Sequence, residues 1–144
     1  MHASGQIGLT MADASTAQIV VLEPDGLSVQ CVRQALRLLH LDPQARYWMQ
    51  REVEPMANRL PADLVIMGLS SKPDDNRACL ARVHQAYPHA IVMGLAYPIR
   101  SEDRCALFDA GLDSLLEKPF SEAECASTIR ALLRRQDMRR TDRK

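Results

Sequence analysis

The sequence predicts an α/β fold, a three-layer sandwich built around one five-stranded parallel sheet. Short apolar runs of strand length alternate with segments whose apolar residues repeat at helical spacing, and short connections join them. Such alternation requires parallel strands and right-handed crossovers, so helices cover both faces of the sheet. The chain of 144 residues has the length of a single domain with a sizeable core.

Five segments are predicted to form the strands. They span residues 18–22, 46–53, 64–69, 90–96 and 113–117. The runs QIVVL, LVIMGL and AIVMGLA are continuously apolar, which is typical of strands covered on both faces. The segment RYWMQREV is rich in β-formers and is assigned to an edge or second strand. Sheets of this kind bind ligands at the carboxyl ends of their strands, beside the point where the strand order reverses.

Five helices are predicted between and after these strands. The second is a short helix at 54–60, and the capping residues assigned to the other four are Asp25, Asn76, Ser101 and Ser121. The first helix is expected to end near His40, and Pro88 stops the third. Gly111 is placed to close the fourth helix in a left-handed conformation. Glu124 completes a capping box with Ser121 at the start of the fifth.

Composition and charge exclude several classes of function. Acidic and basic residues are equal in number, 18 each, so the whole chain carries no field that selects nucleic acid or an anionic membrane. Four widely spaced cysteines show no metal-ligand pattern and are expected to be reduced thiols packed as small apolar groups. No apolar run reaches the roughly 18 residues that span a bilayer. We therefore expect a soluble cytoplasmic protein without a metal or cofactor.

The two ends of the chain differ from its middle. Residues 1–17 are small and polar and predict a mobile N-terminal extension, in which Met11 is an alternative to Met1 as the true start. Residues 137–144 predict a basic C-terminal tail. The predicted domain spans 18–136.

The segments IVVLEPD, ADLVIMGL, IVMGLAY and AGLDSLLEKPF, with the spacing between them, resemble the receiver domain of bacterial two-component response regulators. The resemblance covers residues 18–136 and implies a flavodoxin-like (βα)5 fold. AGLDSLLEKPF is its most specific part, and by analogy with that family the bond before Pro119 is expected to be cis.

The same resemblance implies a phosphorylation site that has lost its chemistry. The family's acid pair falls on Glu23 and Pro24, its phosphoacceptor aspartate on Gly68, its hydroxyl residue on Ala96, its lysine on Lys118 and its aromatic switch residue on Leu115. Glycine offers no nucleophile, and one glutamate is a poor magnesium site. We therefore expect no enzyme activity, a pseudo-receiver, and a structural ion pair between Lys118 and Glu23 in place of catalysis.

Neighbouring polar residues leave alternatives open at this site. Asp25 is expected to cap a helix rather than bind a metal, and Asp74 and Asp75 are expected to be solvated caps rather than a restored metal site. Ser70 and Ser71 are expected to be ordinary turn residues rather than acceptors for a serine kinase.

The expected function is that of a phosphorylation-independent signalling adaptor. It would dock a protein partner, or a second copy in a homodimer, through the surface of the fourth predicted helix, the fifth strand and the outer side of 121–136. We call this surface the C-terminal face; its named residues are Arg104, Phe108, Leu115, Glu117 and Arg130. One alternative is a small-ligand sensor in which a metabolite or nucleotide binds beside Lys118 under Tyr97. Contact of nucleic acid or lipid with the basic tail is another, although neither nucleic acid nor a membrane is the expected partner.

Overall fold

The computed structural model describes residues 16–53 and 60–143, and it describes side chains as far as residue 139. The first fifteen residues of the predicted extension lie outside this range, and so does nearly all of the short helix predicted at 54–60. Ala17, assigned from the sequence to the extension, is buried in the core. The ordered fold therefore begins slightly earlier than the apolar pattern indicates.

Five strands form one parallel sheet, as predicted. The strands are β1 (Ile19–Leu22), β2 (Ala45–Tyr47), β3 (Leu64–Gly68), β4 (Ile91–Ala96) and β5 (Ser114–Glu117). Their order is β2-β1-β3-β4-β5, and every neighbouring pair is parallel. The chain moves outward from β1 in one direction to β2 and in the other to β3. The carboxyl ends of β1 and β3 therefore flank the switch point where such sheets bind ligands.

Helices cover both faces of the sheet. They are α1 (Gly26–Leu38), α2 (Pro73–Ala86), α3 (Ser101–Asp109) and α4 (Glu122–Arg143), with short 3-10 turns at Asp42–Gln44 and Gln50–Glu52. The first and last of these helices pack on one face and the middle two on the other. The predicted three-layer sandwich is confirmed.

The core consists of two apolar clusters, one on each face of the sheet. Because side chains alternate along a strand, Ile19 joins the α1 and α4 side, whereas its neighbour Val20 joins the α2 and α3 side. Ile129 of α4 and Val83 of α2 are fully buried in the respective clusters. Each such side chain contributes about 1.5–3 kcal/mol by leaving water, so the two clusters together fix the strand ends that carry the site.

The structure corrects several predicted boundaries. The second strand ends at Tyr47 rather than continuing to residue 53. Asn76 is not a helix cap, since α2 already begins at Pro73, a residue whose fixed φ suits a first helical position. Arg100, rather than Ser101, is the capping residue of α3. These shifts move the ends of elements and leave the number and order of the strands unchanged.

Other local predictions are confirmed. Gly111 has a φ of +110°, and a Cβ there would lie 2.5 Å from His84 Nε2. The Ser121 and Glu124 capping box forms, with each residue's backbone N–H donating to the other's side chain at 3.0 Å. The peptide bond between Lys118 and Pro119 is cis. The local conformation of these connections is therefore as the sequence predicts.

The last helix is longer than the sequence indicates. It continues to Arg143, through residues that the sequence assigns to a basic tail. Contacts from its C-terminal half hold it to the domain: the amide of Gln136 donates to the carbonyls of His89 at 2.7 Å and Asp63 at 3.3 Å, and Arg139 lies 3.3 Å from Asp113. Within the described parts of the chain, no helix is both long and apolar enough to cross a membrane.

The four cysteines carry free thiols. Cys79 and Cys125 are buried and Cys31 is partly buried, which agrees with small apolar packing groups. Cys105 is exposed, so the expectation that all four are packed is wrong for this residue. It lies on the outer side of α3, where the helical pattern places a solvent-facing residue.

Candidate functional site

The positions singled out by sequence converge at the carboxyl edge of the sheet. Glu23 follows β1, Gly68 ends β3 and Lys118 follows β5. All three line a cleft of about 380 Å³, together with Pro24. Ala96 ends β4 and is buried, with its carbonyl accepting the Lys118 N–H at 2.7 Å. The parallel topology thus brings together residues that are nearly one hundred positions apart.

A buried ion pair forms the floor of this cleft. Lys118 Nζ lies 2.8 Å from Glu23 Oε1, and the two side chains are only 7% and 1% exposed. The second carboxylate oxygen, Oε2, accepts the backbone N–H of Asp25 at 3.0 Å. The predicted structural pair between Lys118 and Glu23 is therefore present. Breaking such a pair by removing one partner typically costs about 3–5 kcal/mol.

The glycine at the end of β3 makes room for this pair. A Cβ added to Gly68 would lie 2.6 Å from Glu23 Oε2 and 2.7 Å from both Oε1 and the carboxyl carbon. Real Cβ atoms essentially never approach that closely. The carboxylate of Glu23 thus occupies the space that any side chain at position 68 needs, and the two residues depend on one another.

The acids at the rim have local partners. Asp25 occupies the capping position of α1, but its carboxylate accepts the Ser28 hydroxyl at 2.7 Å rather than a helix N–H. That hydrogen bond is the main cause that lowers the Asp25 pKa. Asp74 forms an ion pair with Arg77. Within the described residues, no group of three or more histidine, cysteine or acidic side chains is placed to hold a metal ion.

One buried amide fixes the loop that borders the cleft. Asn76 Oδ1 accepts the Ser70 N–H at 2.8 Å, and Asn76 Nδ2 donates to the Ser70 carbonyl at 2.9 Å. The Ser70 hydroxyl in turn accepts the Lys72 N–H at 3.1 Å. This role of Asn76 differs from the capping role that the sequence predicts. The signal was Pro73, which marks the start of the helix and leaves Asn76 free to turn back toward the loop.

An exposed aromatic ring borders the cleft. Tyr97, which follows β4, is 63% exposed, and Lys118 Nζ lies 5.5 Å from its ring centroid. A cation at that distance from a ring face is attracted by the ring quadrupole. Tyr97 also borders a neighbouring cavity of about 180 Å³ near Leu27 and Phe120. The side chain therefore lies beside the lysine at the edge of the cleft.

The residues of the C-terminal face differ in their solvent exposure. Glu117 of β5 is exposed and forms an ion pair at 3.3 Å with Arg104 of α3, whose side chain is partly exposed. Phe108 is 40% exposed, and Arg130 lies exposed on α4. Leu115 is only partly exposed and packs against the α2 and α3 cluster. Four of the five side chains are thus exposed or partly exposed, and Leu115 packs mainly against the core.

Comparisons with known proteins agree with this architecture. No family model matches the chain. A CheY-like response regulator receiver domain protein from Methanospirillum hungatei JF-1 superposes with a TM-score of 0.74 at 15% identity, over 87% of this chain and 99% of that one. The chain has the fold of a response-regulator receiver domain. The receiver fold also occurs in the signal receiver domain of an HD domain-containing protein from Pseudomonas fluorescens Pf-5, with a TM-score of 0.73, 20% identity and coverage of 88% and 93%.

One curated protein shows similarity in sequence as well. The transcriptional regulatory protein PmrA of Pectobacterium parmentieri is 33% identical over 86 residues, which make up 59% of this chain. The match spans 38% of the length of that curated relative. The match therefore covers only a part of each protein.

Proposed function

We propose that this receiver-like domain acts in signal transduction without being phosphorylated, as an adaptor that binds a protein partner. The observation that carries the proposal is the contact between Gly68 and Glu23. The position of the phosphoacceptor has no side chain, and the carboxylate of Glu23 fills the space that one would need. In this proposal the domain is a pseudo-receiver of cytoplasmic location.

The chemistry of the surrounding residues supports the same proposal. Phosphoryl transfer to a carboxylate needs a nucleophile and usually a magnesium ion held by oxygen ligands. The single acid in the family's pair, Glu23, is engaged by Lys118, and Pro24 supplies no carboxylate. Ala96 has no hydroxyl to contact a phosphoryl oxygen. Neither transfer nor hydrolysis is therefore assigned to this site.

A domain that is not switched by phosphate has its binding state set by its sequence. Ala96 and Leu115 replace the two residues whose coupled motion, in the family that the sequence resembles, reports phosphorylation. Leu115 is held by the core. One dominant conformation of the C-terminal face and constitutive partner binding follow from this proposal.

The C-terminal face offers the chemistry of a protein-docking surface. The exposed ion pair between Arg104 and Glu117, the half-exposed Phe108 and the exposed Arg130 combine charge with an aromatic group. Arginine and aromatic residues are enriched where proteins bind each other. The occupant in this proposal is a signalling protein or a second copy of the chain.

Charge reversal tests the proposed surface. Arg104→Glu and Arg130→Glu should weaken partner capture from a cell lysate or self-association measured by light scattering. The matched control is Arg77→Glu, because Arg77, like Arg104, is an arginine in a surface ion pair but lies on α2. Surface substitutions typically change stability by about 0.5 kcal/mol or less, so thermal unfolding should be unchanged in all three variants.

Two outcomes would contradict the proposal. One is an equal loss of binding for Arg77→Glu and Arg104→Glu, which would indicate a general effect of charge rather than a docking face. The other is a phosphorylated form of the wild-type protein, detected as a mass increase after incubation with acetyl phosphate and magnesium.

A further inference from the structure

Lys118 has hydrogen-bonding capacity that the described residues do not use. An ammonium group carries three N–H donors. Within residues 16–53 and 60–143, Nζ of Lys118 contacts one carboxylate, that of Glu23, and the ring of Tyr97. The lysine side chain is 93% buried and borders the 380 Å³ cleft. Its remaining donors are therefore available to a hydrogen-bond acceptor that enters this cleft.

The charge around the cleft opposes an anionic ligand. Glu23, Asp25 and Asp75 line it together with Lys118, so these residues carry a net charge of −2. The lysine is already neutralised by Glu23 at 2.8 Å, and an anion that reached the lysine would also approach that carboxylate. A phosphate group would thus meet repulsion with little compensation. The acceptor that suits Lys118 here is a neutral one, such as a ring carbonyl or a ring nitrogen.

The exposed ring of Tyr97 favours a flat ligand. Its 63% exposure leaves a large aromatic surface open beside the lysine. Planar heterocycles stack on such rings in single-stranded nucleic-acid complexes, whichever base they carry. Gln50 and Ser71 line other parts of the cleft and offer polar groups to the edge of a ring. The volume lies within the range of about 300–1,000 Å³ usual for small-molecule sites.

We propose that this cleft binds an uncharged planar heterocycle of the nucleobase class. The ring stacks on Tyr97, and one of its acceptor atoms receives a hydrogen bond from Lys118. The proposal goes beyond protein docking through the C-terminal face, and it is tested separately because Tyr97 lies outside that face.

The test compares four nucleosides with their own 5′-monophosphates. Adenosine, guanosine, cytidine and uridine are titrated into the full chain, and amide chemical shifts are followed around the cleft. At least one nucleoside should bind saturably, and its monophosphate should bind about tenfold or more weakly because of the acidic rim. Equal or tighter binding of the monophosphate would overturn the charge argument, and the absence of saturable binding by any nucleoside would overturn the proposal.

Variants of Tyr97 separate stacking from simple apolar contact. Tyr97→Phe should keep the affinity within a few-fold, whereas Tyr97→Leu should weaken binding by about fivefold or more. Equal nucleoside affinity of Tyr97→Leu and the wild type would exclude a role for the Tyr97 ring in binding.

The lysine needs a different variant, since Lys118 alone cannot be removed without leaving Glu23 buried and unpaired. The double substitution Glu23→Gln with Lys118→Met replaces the ion pair by neutral groups of similar size, an exchange that proteins often tolerate. A folded double variant should lose nucleoside binding, and retention of wild-type affinity would contradict the assigned role. The Tyr97 series decides the proposal if the double variant does not fold.

Discussion

Replacing Gly68 by alanine tests the contact between this glycine and the Glu23 carboxylate. The test is whether the substitution raises or lowers the free energy of unfolding. Alanine in a strand is ordinarily about 0.5–1 kcal/mol more favourable than glycine because the unfolded chain loses less entropy. Gly68 does not have the positive φ that would make alanine strained, since Gly111 is the glycine of the described chain with that conformation. Without a clash, Gly68→Ala should therefore stabilise the protein.

The geometry predicts the opposite result. The new Cβ would lie 2.6 Å from Glu23 Oε2, and ordinary contact begins near 3.4 Å, so the carboxylate must retreat by about 0.8 Å. That movement weakens its contacts with Lys118 Nζ at 2.8 Å and with the Asp25 N–H at 3.0 Å. Overpacking of this kind typically costs about 1–3 kcal/mol. The melting temperature of a domain of this size should fall by about 3–12 °C.

A double-mutant cycle identifies the cause. Thermal and urea unfolding are measured for Gly68→Ala, Glu23→Ala and the double variant. Glu23→Ala alone should cost about 3–5 kcal/mol because it leaves Lys118 buried without a partner. Alanine at position 68 should then be neutral or slightly stabilising, which gives a coupling energy of about 1–4 kcal/mol. Gly26→Ala is the matched control, since a Cβ there meets no atom within 4 Å.

Stabilisation of the wild-type background by Gly68→Ala would refute this reasoning. So would additive effects in the cycle, because they would show that the cost at position 68 does not come from Glu23. Destabilisation by Gly26→Ala equal to that at position 68 would point to a general effect of replacing glycine.

Three further predictions concern phosphorylation, titration and thiol reactivity. Gly68→Asp should remain unlabelled by acetyl phosphate with magnesium in intact-mass measurements, since the metal site is still incomplete; robust labelling would contradict this. Asp25 has a pKa below its ordinary value of 3.8, so its carboxylate stabilises the fold above that pH, and this contribution is lost as the pH falls through the lower pKa of the folded state. Ser28→Ala should raise the Asp25 pKa in an NMR titration. An unchanged pKa would exclude the Ser28 hydroxyl as the cause of the shift. Burial raises the pKa of the Cys125 thiol to about 12. An aromatic disulfide reagent should therefore label the exposed Cys105 before Cys125. Faster labelling of Cys125 would contradict its burial.

The fold could be predicted from the sequence because its signals are long and repetitive. Three continuous apolar runs identify buried parallel strands, and the helical stripes between them require crossovers. The length of the second strand is harder to predict. Ala45–Tyr47 pair with β1, and the chain then enters a 3-10 turn at Gln50–Glu52 although the segment is rich in β-formers. Edge strands have one neighbour, so their length depends on tertiary contacts that local composition does not contain.

The candidate site was predicted in its members but not in its geometry. The pairing of Glu23 with Lys118 is predicted because the family resemblance places both charges at the carboxyl edge of the sheet, although β1 and β5 are not adjacent strands. The fact that the carboxylate lies over Gly68 depends on a side-chain conformation, which no sequence pattern encodes. Asn76 was misassigned for a related reason: asparagine is common at helix caps, and only the three-dimensional loop shows that its amide bonds to Ser70 instead.

The contact between Glu23 and Gly68 also limits the order in which this sequence can change. A first substitution that places any side chain at position 68 meets the carboxylate of Glu23, and a first substitution that removes Glu23 leaves Lys118 without its partner. The predictions above imply that each single step passes through a less stable protein, and that the two changes together are compatible when the new side chain at position 68 is an acid that can pair with Lys118. A change from this pair to a sequence with a phosphoacceptor at position 68 therefore requires two substitutions, with a less stable protein between them.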